Sequence, residues 1–276
     1  MRTIVHLSDL HFGKVDAALL APLQKLVADI APHVVVVSGD LTQRARSAEF
    51  IAADAFLKTL PTPQIVVPGN HDVSLHNLFN RFVRPLDKYR RYITADLAPI
   101  HIDEEIAVFG INTARSLTLK NGRVATAALA NLRDRIAELP AALTKIIVTH
   151  HPVDLPRQHQ SHELVGRATD AMALFADCGA DVLLAGHLHA SHAGSSAARY
   201  PNSAFAALVV QAGTATSTRG RSEANSFNVL RIESAAITVE RYSWVPDCIG
   251  STGNFQLISS ERFERNSNVW QLARTE

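Results

Sequence analysis

Cysteine is nearly absent from this chain of 276 residues: Cys178 and Cys248 stand alone, with no metal-type spacing between them. Two such residues exclude a disulfide framework, and a reduced, cytoplasmic setting is the expectation. No apolar run approaches the roughly 20 residues that a membrane span needs. Nor does a charged leader with an apolar stretch open the chain, since strand-like residues begin almost at Met1. An excess of one charge is missing as well. Lys and Arg number 27 against 26 Asp and Glu, so the net charge of +1 gives no argument for nucleic acid or a membrane surface as partner. Aromatic residues are sparse at 6%, yet 47% apolar residues suffice for the core of one large α/β domain or two small ones. Histidine, in contrast, is abundant at 13 residues.

The polar residues of interest follow apolar runs. Thr3-Ile4-Val5-His6-Leu7 reads as a strand that leads into Ser8-Asp9-Leu10-His11. On an extended backbone positions i and i+2 face one side, so Asp9 and His11 can reach one ion from the strand end or the turn just after it. Helical apolar spacing covers 16–30; the buried-strand run 34–37 ends in Ser38-Gly39-Asp40, and 46–59 is helical. The strand over 63–67 ends in Pro68-Gly69-Asn70-His71-Asp72. Residues 74–93 read as a basic helix with Arg81, Arg84, Lys88, Arg90 and Arg91. Further strands are expected over 106–111, 145–149 and 181–185, the last two ending in His150-His151 and Gly186-His187-Leu188-His189, with helices over 126–139 and 168–178. From about 205 only strands remain, over 206–211, 226–232 and 236–244, followed by a polar tail expected to be irregular. This order argues for two mixed sheets facing each other with helices outside.

Each polar cluster sits just past a strand's C-terminal end, where open α/β sheets bind ligands. A dinuclear metal centre needs about seven or eight N/O donors and a carboxylate able to bridge ions about 3.5–4 Å apart. Asp9-x-His11, Gly39-Asp40, Gly69-Asn70-His71-Asp72, His150-His151 and Gly186-His187-x-His189 supply such a set. The glycines let tight turns aim the neighbouring side chains inward. Taken singly, each cluster is commonplace in turns and helix caps; five at strand ends, in this order, are not.

This order resembles the calcineurin-like metallophosphoesterase superfamily, whose signature blocks span residues 9 to 189 here. The resemblance implies an α/β fold, a four-layer αββα sandwich with two mixed β-sheets, over a domain of residues 1–250 with a tail of 251–276. It also implies that Asp9, His11, Asp40 and His189 hold one ion, and that Asp40, Asn70, His150 and His187 hold the other, with Asp40 bridging. Imidazoles, carboxylates and an amide without a thiolate suit two divalent transition ions, Mn²⁺ or Fe²⁺ foremost and Zn²⁺ or Co²⁺ next, rather than Ca²⁺. Two divalent ions against Asp9 and Asp40 leave a surplus of positive charge for a bridging hydroxide and for the phosphoryl group. His71 is expected as a proton donor or transition-state hydrogen-bond donor oriented by Asp72. Asn70, His71, His151, Asn112 and Arg115 are expected against substrate, and 74–93 and 153–168, with Arg157, His159 and His162, as further walls.

Purple acid phosphatases carry a tyrosine where Gln43 stands and lack the histidine at His11, so tyrosinate chemistry is not expected. Gly39-Asp40-Leu41-Thr42-Gln43 and His150-His151-Pro152 are similar to the bacterial class III cyclic-nucleotide phosphodiesterases and their glycerophosphodiesterase relatives, although Val153 stands where a second proline is common. The expected function is hydrolysis of a small or cyclic phosphodiester by a metal-bound hydroxide. The alternatives are another phosphoester hydrolase of this fold (nucleotide-sugar pyrophosphatase, phosphomonoesterase or nuclease) and a non-catalytic scaffold. A nuclease fits less well because no basic stripe is present, and a scaffold because no ligand is missing. The β-rich second half offers an edge for a homo-oligomer.

Overall fold

Alternate side chains of the central strands enter different cores, and that parity sets the order of the layers. The computed structural model describes residues 1–74, 83–115, 121–155, 163–200, 205–219, 223–247 and 253–273. One sheet contains β1 (Arg2–Leu7), β2 (Val34–Ser38) and β3 (Gln64–Val67), which are parallel. The other contains β4 (Ile100–Ile102), β5 (Ile106–Gly110), β6 (Thr144–Val148), β7 (Val182–Ala185), β8 (His192–Ser195) and β9 (Leu208–Gln211), in the order β4-β5-β6-β7-β9-β8. The first sheet is completed by β10 (Ser226–Ile232), β11 (Ala236–Pro246), β12 (Gly253–Asn266) and β13 (Val269–Leu272), in the order β13-β12-β11-β10-β1-β2-β3. Both sheets are mixed. β1 meets β10 antiparallel, and β4 and β8 run antiparallel at the edges of a parallel centre.

Ile4, Val34, Val36, Ile65 and Val67 face Ile106, Val108, Ile146, Val148, Val182 and Leu184 in one aliphatic core between the sheets. The intervening Val5, Leu7, Val35, Val37 and Val66 point the other way, onto α1 (Ala17–Ile30), α2 (Ser47–Leu57) and α3 (Asp87–Tyr92). On the far side Ala107, Phe109, Ile147, Leu183 and Val209 pack on α4 (Thr126–Ala137) and α5 (Ala168–Asp177). Each such aliphatic side chain contributes about 1.5–3 kcal/mol on burial. The layers are therefore α, β, β and α, as expected. None of the described helices is long and apolar enough to cross a membrane.

Two expectations need correction. Within 74–93 the helix Asp87–Tyr92 follows a break at 84–86, so the stretch is not one continuous helix, while residues 75–82, with Arg81, lie outside the described residues. Tyr89 anchors it, fully buried with its hydroxyl donating to Val66 O at 3.0 Å. The tail is not irregular over 253–272: β12 pairs along β11, and β13 closes that edge. Its pattern misleads because Gly253, Phe255 and Phe263 are the buried positions of a strand whose middle faces solvent. Trp270 then enters the inter-sheet core, with its indole N–H donating to Asp181 Oδ1 at 3.1 Å.

Candidate metal centre

The loops after β1, β2, β3, β6 and β7 meet at one end of the sandwich. They are stitched by backbone hydrogen bonds: Asp9 N to Gly39 O at 3.1 Å, His11 N to Asp40 O at 2.9 Å and Gly186 N to His150 O at 3.1 Å. The 212–219 segment adds Thr214 Oγ1 to Asp9 O at 2.7 Å and Thr216 Oγ1 to Leu10 O at 2.8 Å. Asp9, His11, Asp40, His187 and His189 all hold positive φ, between 50° and 74°. Such conformations cost on the order of 1–3 kcal/mol each in a non-glycine residue and persist only where the surroundings impose them. Asp9 and His11 thus share one side from the turn just after the strand, held in left-handed conformations. The glycines serve mainly close approach: a Cβ on Gly69 would lie 2.1 Å from Asp40 Oδ1, and one on Gly186 would lie 1.8 Å from Ser8 Oγ.

Two groups of donors result. Asp9, His11, Asp40 and His189 bring one ligand atom each within 4.8 Å of one another, and so do His150, His151 and His187. Asp9 Oδ2 accepts from Ser8 Oγ at 2.6 Å and His187 N at 2.9 Å, leaving Oδ1 toward His189 Nε2 at 3.1 Å and His11 Nε2 at 3.5 Å. Asp40 Oδ1 accepts from His71 N at 2.8 Å. Its Oδ2 lies 3.7 Å from His11 Nε2 and 3.4 Å from His150 Nε2, between the groups, where a bridging atom belongs. Asn70 Oδ1 stands 3.2 Å from His150 Nε2. His150 Nδ1 points at Ser38 O, 2.7 Å away, which can only accept; this leaves the Nε2 lone pair for a ligand role.

These contacts fit cations. Asp9 Oδ1 is buried without a hydrogen bond, and the Nε2 atoms of His11 and His189 face each other at 3.2 Å. A buried carboxylate oxygen facing two convergent imidazole nitrogens suits a positive centre between them. Electrostatics carry the same imprint. Burial opposes charging His150, yet Asp40 and Asp9 push its imidazole up to about 9. Burial likewise opposes Asp40, yet His150 and His11 hold it well below the ordinary carboxylate range.

His71 differs from expectation. Its Nδ1 lies 2.8 Å from Gln43 O, a pure acceptor, so Nδ1 carries the proton. Glu49 shapes the loop that presents that carbonyl, accepting from Arg44 N at 2.8 Å and Arg46 N at 3.2 Å. His71 Nε2 faces Arg219 Nη1 at 3.0 Å, and a guanidinium cannot accept, so this imidazole is neutral. Burial lowers its pKa, with His11 and Arg219 adding to the effect against Asp40. Asp72 does not orient the ring. Its carboxylate accepts from Gly69 N, Leu41 N and Thr42 N at 2.9, 3.1 and 2.9 Å and from Thr42 Oγ1 at 2.9 Å, pinning the second and third loops together. Burial and the charge of Asp40 push Asp72 up to about 6 against those amides.

His151 is fully buried, with its ring 4.7 Å from that of His187 and Nδ1 2.8 Å from Thr113 Oγ1, so it packs directly against the ligand candidates. Asn112 Oδ1 accepts from Ala114 N at 2.9 Å, shaping its own turn. Asn112 and Arg115 line a cavity of about 390 Å³ with Arg84 and Arg90, and none of the seven expected ligands lines it. Arg157, His159 and His162 lie outside the described residues. Arg219 was not anticipated; it follows a run of small polar residues near no signature block.

Residues 2–191 match the family model of the calcineurin-like phosphoesterases. No curated protein sequence matches. Among solved structures, the purple acid phosphatase PPD1 from yellow lupin (Lupinus luteus) seeds is similar with a TM-score of 0.67 and 12% identity, over 96% of this chain and 54% of that one. The chain thus spans about half the length of the lupin protein. Vps29 of Chaetomium thermophilum follows with a TM-score of 0.52 and 14% identity, over 96% and 100% of the two chains. Vacuolar Protein Sorting 29 of Cryptosporidium parvum gives 0.51 and 13%, over 96% and 98%. At these identities the likenesses show the fold alone. A family model that runs from the first strand past the last expected donor leaves one conclusion: the chain belongs to the calcineurin-like phosphoesterases.

Proposed function

We propose that this chain is a metal-dependent phosphodiesterase acting on a small or cyclic phosphodiester, of the 3′,5′-cyclic nucleotide or glycerophosphodiester type. The observation that carries the reading is Asp40 Oδ2, placed between the two donor groups while Oδ1 is held by His71 N. In this reading Asp9, His11, Asp40 and His189 hold one ion and Asp40, Asn70, His150 and His187 hold the other. When bound, two such ions polarise the phosphoryl oxygens and lower the pKa of water. The chain's own work is to keep seven donors converged by stitched loops and left-handed turns, so that little reorganisation accompanies the reaction. The donor set favours Mn²⁺ or Fe²⁺, with Zn²⁺ or Co²⁺ also suited. The diester preference rests on the wording of Gly39–Gln43 and His150–Pro152, and the cytoplasmic setting on the scarcity of cysteine.

A metal-reconstituted panel tests the reading: bis(p-nitrophenyl) phosphate, p-nitrophenyl phosphate, cyclic AMP, cyclic GMP and glycerophosphodiesters. Diesters should turn over faster than the monoester. A monoester preference would overturn the diester assignment, and no turnover with any of the four metals would overturn the enzyme.

A further inference from the structure

Arg219 is a half-buried cation, and no carboxylate among the described residues pairs with it. The acid closest to it in the chain, Glu223, is held by Arg241 Nη2 at 2.9 Å and by Ser191 N at 3.0 Å. The residue is set on a built platform. Thr214 and Thr216 donate to the loop after β1, Ala215 N donates to Ser8 O at 3.0 Å, and Thr218 N donates to Lys14 O at 2.9 Å. Asn225 Nδ2 donates to Ser217 O at 2.9 Å beneath it. The Arg219 carbonyl lies 3.4 Å from His189 Nδ1, and its guanidinium meets His71 Nε2, so the residue spans the mouth between a ligand of one ion and the neighbour of Asn70. The ring of His71 is in turn 5.0 Å from that of His11.

A guanidinium offers five N–H donors in a planar fork. His71 takes one, and the fork that remains matches an oxyanion with several equivalent oxygens. Resting on the phosphoester reading above, we propose that Arg219 binds a non-bridging oxygen of the substrate's phosphoryl group, aimed there by the lone pair of His71 Nε2. His71 is then a positioning residue. Its proton sits on Nδ1 against Gln43 O, and its Nε2 accepts, so it has no proton to give a leaving oxygen. Negative charge spread over the non-bridging oxygens at the transition state meets a fixed guanidinium.

The experiment is a calorimetric titration of inorganic phosphate into the Mn²⁺-loaded chain, alongside metal analysis and a diester series with good and poor leaving groups. Arg219→Ala should retain its metal and bind phosphate roughly 10- to 100-fold more weakly, the worth of a hydrogen bond to a charged group. Its turnover should fall by a similar factor across leaving groups. Arg219→Lys should recover part of the affinity, because charge survives while the fork does not. Adding His71→Ala to Arg219→Ala should cost little more, since the two act as one unit. Unchanged phosphate affinity in Arg219→Ala overturns the proposal, as does metal loss in that variant. A turnover loss confined to poor leaving groups also overturns it, because the effect would then fall on the leaving oxygen. A wild-type chain that neither binds phosphate nor hydrolyses any ester removes the phosphoester reading itself.

Discussion

The two ends of this sandwich neutralise charge in opposite ways. At the end where the central strands begin, Arg2 meets Asp103 at 2.8 Å and Glu105 at 2.7 Å, and Arg265 meets Asp181 at 2.8 Å. Every one of those carboxylates faces a cation of the chain itself. At the end where the strands stop, Asp9 and Asp40 are buried with no Lys or Arg bonded to them among the described residues, and five ligand candidates are held at positive φ. Two buried carboxylates that face imidazoles and no Lys or Arg suit an outside cation. One end is built for stability, and the other is built around what it binds.

The sharpest way to break this comparison is Asp40→Ala. Removing the oxygen between both groups should empty both metal positions and leave hydrolysis near background, with excess Mn²⁺ giving no rescue. Asn70→Ala should weaken one position and respond to added metal. Equal and unrescuable losses in the two variants, read by metal analysis and bis(p-nitrophenyl) phosphate turnover, would contradict the ligand roles.

Next in size is Gly69→Ala. One methyl group at 2.1 Å from Asp40 Oδ1 must displace the bridging carboxylate or the turn. Metal affinity should fall by at least about tenfold, the order seen when support around a ligand is lost. An unchanged metal titration would show that the site has slack that the geometry denies.

How much of this was legible in the sequence follows from how each feature is encoded. The donor blocks are short, contiguous and set at strand ends, so strand periodicity and spacing were enough to collect the blocks, and the family resemblance then picked the seven expected ligands from them. Gln43 and Arg219 were not legible as partners of His71, because one acts through its carbonyl and the other arrives from 148 residues away. Asp72 was misread for a related reason. Next to His71 in the chain, it points back to the amides of Leu41, Thr42 and Gly69, a direction set by tertiary packing. The strands from Gly253 to Leu272 were missed because an edge ribbon with one solvated face buries too few residues to alternate clearly.

Those strands give a prediction at the opposite end. Trp270→Ala should destabilise the chain by about 3–5 kcal/mol, as large-to-small changes in a core do. Metal stoichiometry of the folded fraction should stay unchanged. Urea unfolding with metal analysis separates the two, and metal loss without destabilisation would mean that the ends are coupled.

The smallest effect concerns acid. Burial works against Asp103, but the amides of Glu105 and Ile106 and the Arg2 guanidinium hold it at about 2. That is below the unfolded value of about 3.9. Its contribution is therefore complete above about pH 4 and is lost as pH falls toward 2. Asp103→Asn should flatten this limb in urea unfolding between those pH values. An unchanged slope would remove Asp103 from the ion-paired end.

The central claim is that seven side chains hold two ions that share Asp40. Metal stoichiometry tests it most directly, by elemental analysis of the reconstituted chain before and after exhaustive chelation, with bis(p-nitrophenyl) phosphate turnover measured on the same samples. Two ions per chain, turnover abolished with their removal and restored by Mn²⁺, is the predicted result. Full turnover in the metal-free chain, or two ions retained by Asp40→Ala, would contradict it.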